Sequence, residues 1–124
     1  MEKINCIICL GSNTHARVSL QKARELLVRT YPAISFGEEK ETQPIGMKHN
    51  TAPFLNQIAR FATEQEVEEI HTALKIIERF CGRRPSDKEN ETITIDIDLL
   101  AYGDTILRPM DFARYTNEIS ALTL

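Results

Sequence analysis

Apolar residues open the chain as a short run, Ile4, Cys6, Ile7, Ile8, Cys9 and Leu10, broken only by Asn5. A run of that length predicts a buried strand over 4–10, ended by Gly11-Ser12-Asn13. Ala16, Leu20, Ala23, Leu27 and Tyr31 then recur at steps of 4, 3, 4 and 4. That spacing lays one apolar stripe along a helix over 16–31, which Pro32 stops. A second strand is expected over 33–42, weakened by Glu38, Glu39, Lys40 and Glu41. Residues 43–52, with Pro44, Gly46 and Asn50, read as loop, and 54–61 as a third strand. Thr63-Glu64-Gln65-Glu66 fits a capping box with Thr63 as N-cap. Behind it Val67, Ile70, Leu74, Ile77 and Cys81 form the clearest helical stripe, with Gly82 just past its end. Residues 83–91 are polar loop, and 92–100 alternate as a fourth strand.

The element order, strand-helix-strand-strand-helix-strand, predicts an α+β, ferredoxin-like βαββαβ fold: a four-stranded antiparallel sheet with two helices on one face. The other face is expected to stay open, and chemistry has to be sought on it or its rim. Composition agrees with one domain over 1–124. The 124 residues are 42% hydrophobic and 27% charged, ordinary for a globular chain. No apolar run approaches the length of a membrane span. A net charge of −3 argues against a nucleic-acid partner, although Arg79, Arg83 and Arg84 make a local basic spot. Cys6 and Cys9 have C-x-x-C spacing, but residues three apart on a strand face opposite ways, so they cannot hold one metal together. With Cys81 they read as reduced thiols of a cytoplasmic protein.

Candidate chemistry sits in the last predicted strand, Thr94-Ile95-Asp96-Ile97-Asp98-Leu99. Alternation sends Ile93, Ile95, Ile97 and Leu99 to the helices and Thr94, Asp96 and Asp98 to the open face. Two residues along a strand separate the carboxylates by roughly 6–7 Å. Such a pair fits a solvated, aggregation-deterring edge. It equally fits a Mg²⁺ site completed by substrate phosphates. Gly82-Arg83-Arg84, on the same rim, offers cations for those phosphates, and a carboxylate pair with arginines is the minimum for phosphoryl transfer. No Walker P-loop is present. Asn56 at mid-strand is either exposed or reads the hydrogen-bonding edge of a flat heterocycle, with Phe54 as a wall.

These pieces, in order, resemble the 6-hydroxymethyl-7,8-dihydropterin pyrophosphokinases of folate biosynthesis. The resemblance runs through Leu10-Gly11-Ser12-Asn13, Glu41-Thr42-Gln43-Pro44-Ile45-Gly46, Phe54-Leu55-Asn56, Ile77-Glu78 to Gly82-Arg83, and Ile95-Asp96-Ile97-Asp98-Leu99-Leu100. It implies Mg²⁺-dependent transfer of pyrophosphate from ATP to a pterin alcohol. Asp96 and Asp98 would bind two Mg²⁺ and act in catalysis with Arg83. Thr42, Ile45, Phe54 and Asn56 would bind the pterin, and Glu78, Arg83, Arg84 and Leu99 would bind ATP. The chain also departs from the family pattern. The segment after Arg83 carries Asp87, Glu89 and Glu91 against Arg84 and Lys88, has Asn90 at a tryptophan position, and has Ile93 at an arginine position. Acidic side chains there are expected to repel a polyphosphate, and from about residue 105 the tail reads as truncated. Those departures carry the alternative of a non-catalytic pterin- or nucleotide-binding relative with a regulatory or partner role.

Overall fold

A computed structural model of the chain describes residues 2–44 and 46–122. In chain order the elements are β1 (Ile4–Ser12), α1 (Ala16–Thr30), β2 (Ser35–Phe36), β3 (Lys40–Thr42), β4 (Phe54–Thr63), α2 (Val67–Phe80), α3 (Asp87–Asn90), β5 (Asp96–Tyr102), β6 (Thr105–Ile106), α4 (Pro109–Arg114) and α5 (Thr116–Leu122). The fold is α+β, and every strand pair in its sheet is antiparallel. β1 lies between β4 and β5; β2 and β3 both pair with β4, and β6 with β5.

Among the described residues the sheet thus has six strands where four are expected. Part of the difference is that the second expected strand is broken. The Gly37 N–H donates to Ile58 O at 2.8 Å, and Gln57 Nε2 donates to Gly37 O at 2.7 Å. A side chain therefore takes a carbonyl at the break, and pairing resumes only at Lys40. The sixth strand comes from the two-residue turn Gly103-Asp104. Gly103 has φ 59°, the left-handed geometry tight hairpins favour. Two further boundaries differ. β5 starts at Asp96 rather than 92, because before it one backbone bond, the Asn13 N–H to Ile93 O at 3.0 Å, is supplemented by side chains and no ladder continues. Asn13 Oδ1 accepts the Ile93 N–H at 2.7 Å, and Ser12 Oγ donates to Ile93 O at 3.3 Å. The α2 N-cap is Glu66, paired reciprocally with Glu69, rather than Thr63 with Glu66. Thr63 Oγ1 instead accepts the Gln65 N–H, an upstream turn that uses up its capping oxygen.

Cys6, Ile8 and Leu10 of β1, Ala59 and Phe61 of β4, and Ile97 and Leu99 of β5 pack under α1 and α2 with Leu20, Leu27, Ile70, Leu74 and Ile77. Each fully buried Leu or Ile contributes ~1.5–3 kcal/mol of hydrophobic stabilisation. The opposite face is not open throughout. Ile7, Ile58, Leu100 and Ala101 are covered by Tyr115 and Ile119 of the C-terminal helical segment. Leu100 reaches that face by alternation from Asp96 and Asp98, and Ala101 joins it because the β1–β5 register shifts between Ile7 and Ile8, leaving Leu100 as the extra residue of a bulge. What remains of this face is a strip toward the Gly11 end of β1, and the predicted chemistry lies on it. Among the described residues no helix is long and apolar enough to cross a membrane.

Candidate active site

Strand register builds the site in two rows. Gly11 pairs with Asn56 on one side and Asp96 on the other, and Cys9 pairs with Ile58 and Asp98. Asn56 and Asp96 therefore flank a residue without a side chain. A Cβ on Gly11 would sit 2.9 Å from Asn56 Oδ1, so glycine keeps the floor between them clear. Asn56 is buried and donates from Nδ2 to Thr42 Oγ1 at 2.6 Å, and Thr42 is the register partner of Phe54. Thr42, Phe54, Asn56, Asp96 and Asp98 all line one cavity of about 210 Å³, joined by Gln43, Met47, Arg108 and Tyr115. Four residues predicted to matter for a flat ligand include three brought together here; the fourth, Ile45, lies outside the described residues.

Burial and the negative charge of Asp96 push the Asp98 carboxyl up to about 7. Burial also raises Asp96, but hydrogen bonds from Asp98 and Arg83 outweigh it and hold Asp96 below its ordinary value. With Asp96 ionised beside it, Asp98 thus resists ionisation although Arg83 pairs with Asp96 at 2.7 Å and Arg108 lies 4.0 Å from Asp98. The Cys9 thiol between β4 and β5 is pushed up to about 12, chiefly by burial, so it is no thiolate ligand. Among the described residues no cluster of three or more His, Cys, Asp or Glu could hold a metal alone. An oxygen-only donor pair with positions left for water and phosphate fits Mg²⁺ rather than zinc.

The predicted ATP residues take different places. Arg83 points at the carboxylates: its Nη1 donates to Asp96 Oδ1 at 2.7 Å, Ile95 O at 3.2 Å and Glu78 Oε2 at 3.3 Å. Glu78 is buried, and its Oε2 accepts the Ile97 N–H at 2.8 Å. It braces the outer edge of β5 directly behind the carboxylates. Arg84 is exposed on its loop. Leu99 lines a second cavity of about 470 Å³ with Val67, His71, Leu74, Lys75 and Leu107. The acidic loop is largely turned inward. Asp87 is buried and Oδ2 accepts the Arg84 N–H at 3.2 Å, while Glu91 accepts backbone N–H groups of residues 48–50. Asp87 and Glu91 are therefore engaged with the chain itself, while Glu89 is exposed.

Arg108 is the functional candidate that sequence reasoning passed over. With Asp98 it lines both cavities, and its Nη1 lies 4.0 Å from Asp98 Oδ1. Asp111 Oδ2 accepts from its Nε at 2.7 Å, which aims the guanidinium. The signal in the sequence is Pro109, a residue favoured at the first position of a helix, which puts Arg108 at the N-cap of α4.

Fold and site together define an α+β protein in which one member of a carboxylate pair, Asp98, lines both a small cavity and a larger groove. The chain belongs to the 7,8-dihydro-6-hydroxymethylpterin-pyrophosphokinase (HPPK) family, whose model matches residues 7–122. No curated protein matches it. Among solved structures it is similar to a de novo designed protein with a ferredoxin fold, determined by solution NMR. The identity is 11% and the TM-score 0.35, covering 82% of this chain and 87% of that one.

Proposed function

We propose that the protein transfers pyrophosphate from ATP to 6-hydroxymethyl-7,8-dihydropterin in a Mg²⁺-dependent reaction. The observation that carries this reading is the position of Asp98 and Arg108 on both cavities at once. A cavity of about 210 Å³ is below the ~300–1,000 Å³ of drug-sized sites and suits a single small ring system. The larger groove, about 470 Å³, suits a nucleotide. In the small cavity Asn56 and Thr42 meet the heterocycle's polar edge, and Phe54 lies against it. A hydroxymethyl group on the far side then lies toward Asp96 and Asp98, across Gly11.

In the transfer the pterin hydroxyl oxygen bonds to the β-phosphorus of ATP. The bond from that phosphorus to the α–β bridging oxygen breaks, AMP leaves, and the hydroxyl proton is released. Mg²⁺ held by Asp96 and Asp98 would neutralise charge on the phosphates. Arg108 adds a cation where the two cavities meet, and Arg83 orients Asp96. Because phosphoryl transfer depends on positioning and charge, these roles suffice without a covalent intermediate.

A second reading, binding of the same ligands without turnover, draws on Arg83. Its guanidinium is engaged by Asp96 and Glu78, so it offers less to a polyphosphate than a free arginine would. Incubation with ATP, Mg²⁺ and the pterin separates the two. The first predicts AMP and pterin diphosphate in equal amounts; the second predicts binding by calorimetry and no AMP.

A further inference from the structure

We propose that Glu91 is a positioning residue for the small cavity, clasping residues 48–50 and thereby holding Met47 on the cavity wall. The inference rests on the pterin reading above. Glu91 Oε1 accepts the His49 and Asn50 N–H groups at 2.8 and 3.0 Å, and Oε2 accepts the Lys48 N–H at 3.0 Å. The Glu91 carbonyl accepts Nδ2 of both Asn13, at 2.9 Å, and Asn50, at 2.8 Å. These five bonds tie three segments distant in sequence: the end of β1, the loop before β4 and the segment after α3. Two of them reach the cavity, through Gly11 and Met47.

Glu91 adopts φ 56°, a left-handed conformation uncommon for a residue with a side chain. Holding it there has a cost, which the five bonds offset. Backbone donors, that of Asn50 foremost, keep the carboxyl down at about 2, so the clasp stays charged at any ordinary pH. Residues 43–53 contain no helix or strand among those described, so little else fixes Met47. An acidic residue that would oppose a polyphosphate is here turned the other way, toward the loop that walls the flat ligand.

The test uses the full chain, Glu91→Gly and Glu91→Gln. Glycine accepts the left-handed backbone without strain, so its effect isolates the carboxylate. Glutamine keeps one acceptor oxygen and should fall between. Amide exchange at Lys48, His49 and Asn50 should quicken about tenfold or more in Glu91→Gly. Its affinity for 6-hydroxymethyl-7,8-dihydropterin should fall about tenfold, with affinity for Mg²⁺–ATP unchanged. Unchanged exchange at those amides, or unchanged pterin affinity, overturns the inference. Equal loss of pterin and ATP affinity also overturns it, since that marks general loosening. If the unsubstituted chain binds no pterin, the proposed function and the ligand half of this inference both fall. The exchange rates then still decide whether Glu91 holds the loop.

Discussion

Replacing Glu78 by alanine should destabilise the protein by ~3–5 kcal/mol, the cost of breaking a buried, hydrogen-bonded charge arrangement. Its side chain is 3% exposed, and Oε2 accepts the Ile97 N–H at 2.8 Å. That N–H lies on the edge of β5 away from β1, so alanine leaves a buried donor unpaired, at ~1–3 kcal/mol. The Arg83 guanidinium, 23% exposed, also loses a carboxylate at 3.3 Å, although Asp96 retains it at 2.7 Å. Lys75 is 62% exposed, so its pairing with Oε1 adds little. Glu78→Gln retains an oxygen that can accept from Ile97 and should cost distinctly less, ~1–2 kcal/mol. Equilibrium urea unfolding measures both, read from the midpoint at constant m-value. A loss below ~1 kcal/mol for Glu78→Ala would refute the brace, as would equal losses for the two variants.

Other consequences follow from the same geometry. Gly11→Ala places a Cβ 2.9 Å from Asn56 Oδ1, so thermal unfolding should report ~1–3 kcal/mol of overpacking, with weakened pterin binding; an unchanged melting temperature contradicts the packing. Mg²⁺ and protons compete for Asp98, so calorimetric Mg²⁺ affinity in the presence of ATP should rise as pH climbs through about 7, and a flat profile would contradict the assignment. The folded-state value of Asp98 is raised, so the stability it contributes is present near pH 4 and is lost as pH rises through about 7; Asp98→Asn should flatten that decline in pH-dependent unfolding. Arg108→Ala should weaken Mg²⁺–ATP binding about tenfold or more while sparing pterin affinity, and equal affinities for ATP would remove Arg108 from the site.

Much of this architecture is legible in the residues because it follows from local periodicity. The stripe from Val67 to Ile77 faces the sheet, and the alternation around Asp96 and Asp98 turns both carboxylates to the same face. The apolar run of β1 is a strand and extends two residues further than its hydrophobicity indicates. What could not be read depends on partners distant in sequence. The break between β2 and β3 is held by Gln57, a β4 side chain. The capping box slipped because Thr63 and Glu66 both match an N-cap pattern, and only the turn at Gln65 decides between them. The acidic character of residues 87–91 was visible, but not that Glu91 meets amides some forty residues upstream. Arg108 reaches Asp98 only because α4 and α5 cover the sheet beyond Leu100.

The proposed role of Asp96 and Asp98 in pyrophosphate transfer can be tested directly. The purified protein is combined with ATP, Mg²⁺ and 6-hydroxymethyl-7,8-dihydropterin, and AMP and pterin diphosphate are followed by chromatography. Both products are expected in a one-to-one ratio, dependent on Mg²⁺ and abolished by Asp96→Asn. Folded protein that binds ATP and the pterin yet forms no AMP above background would contradict it.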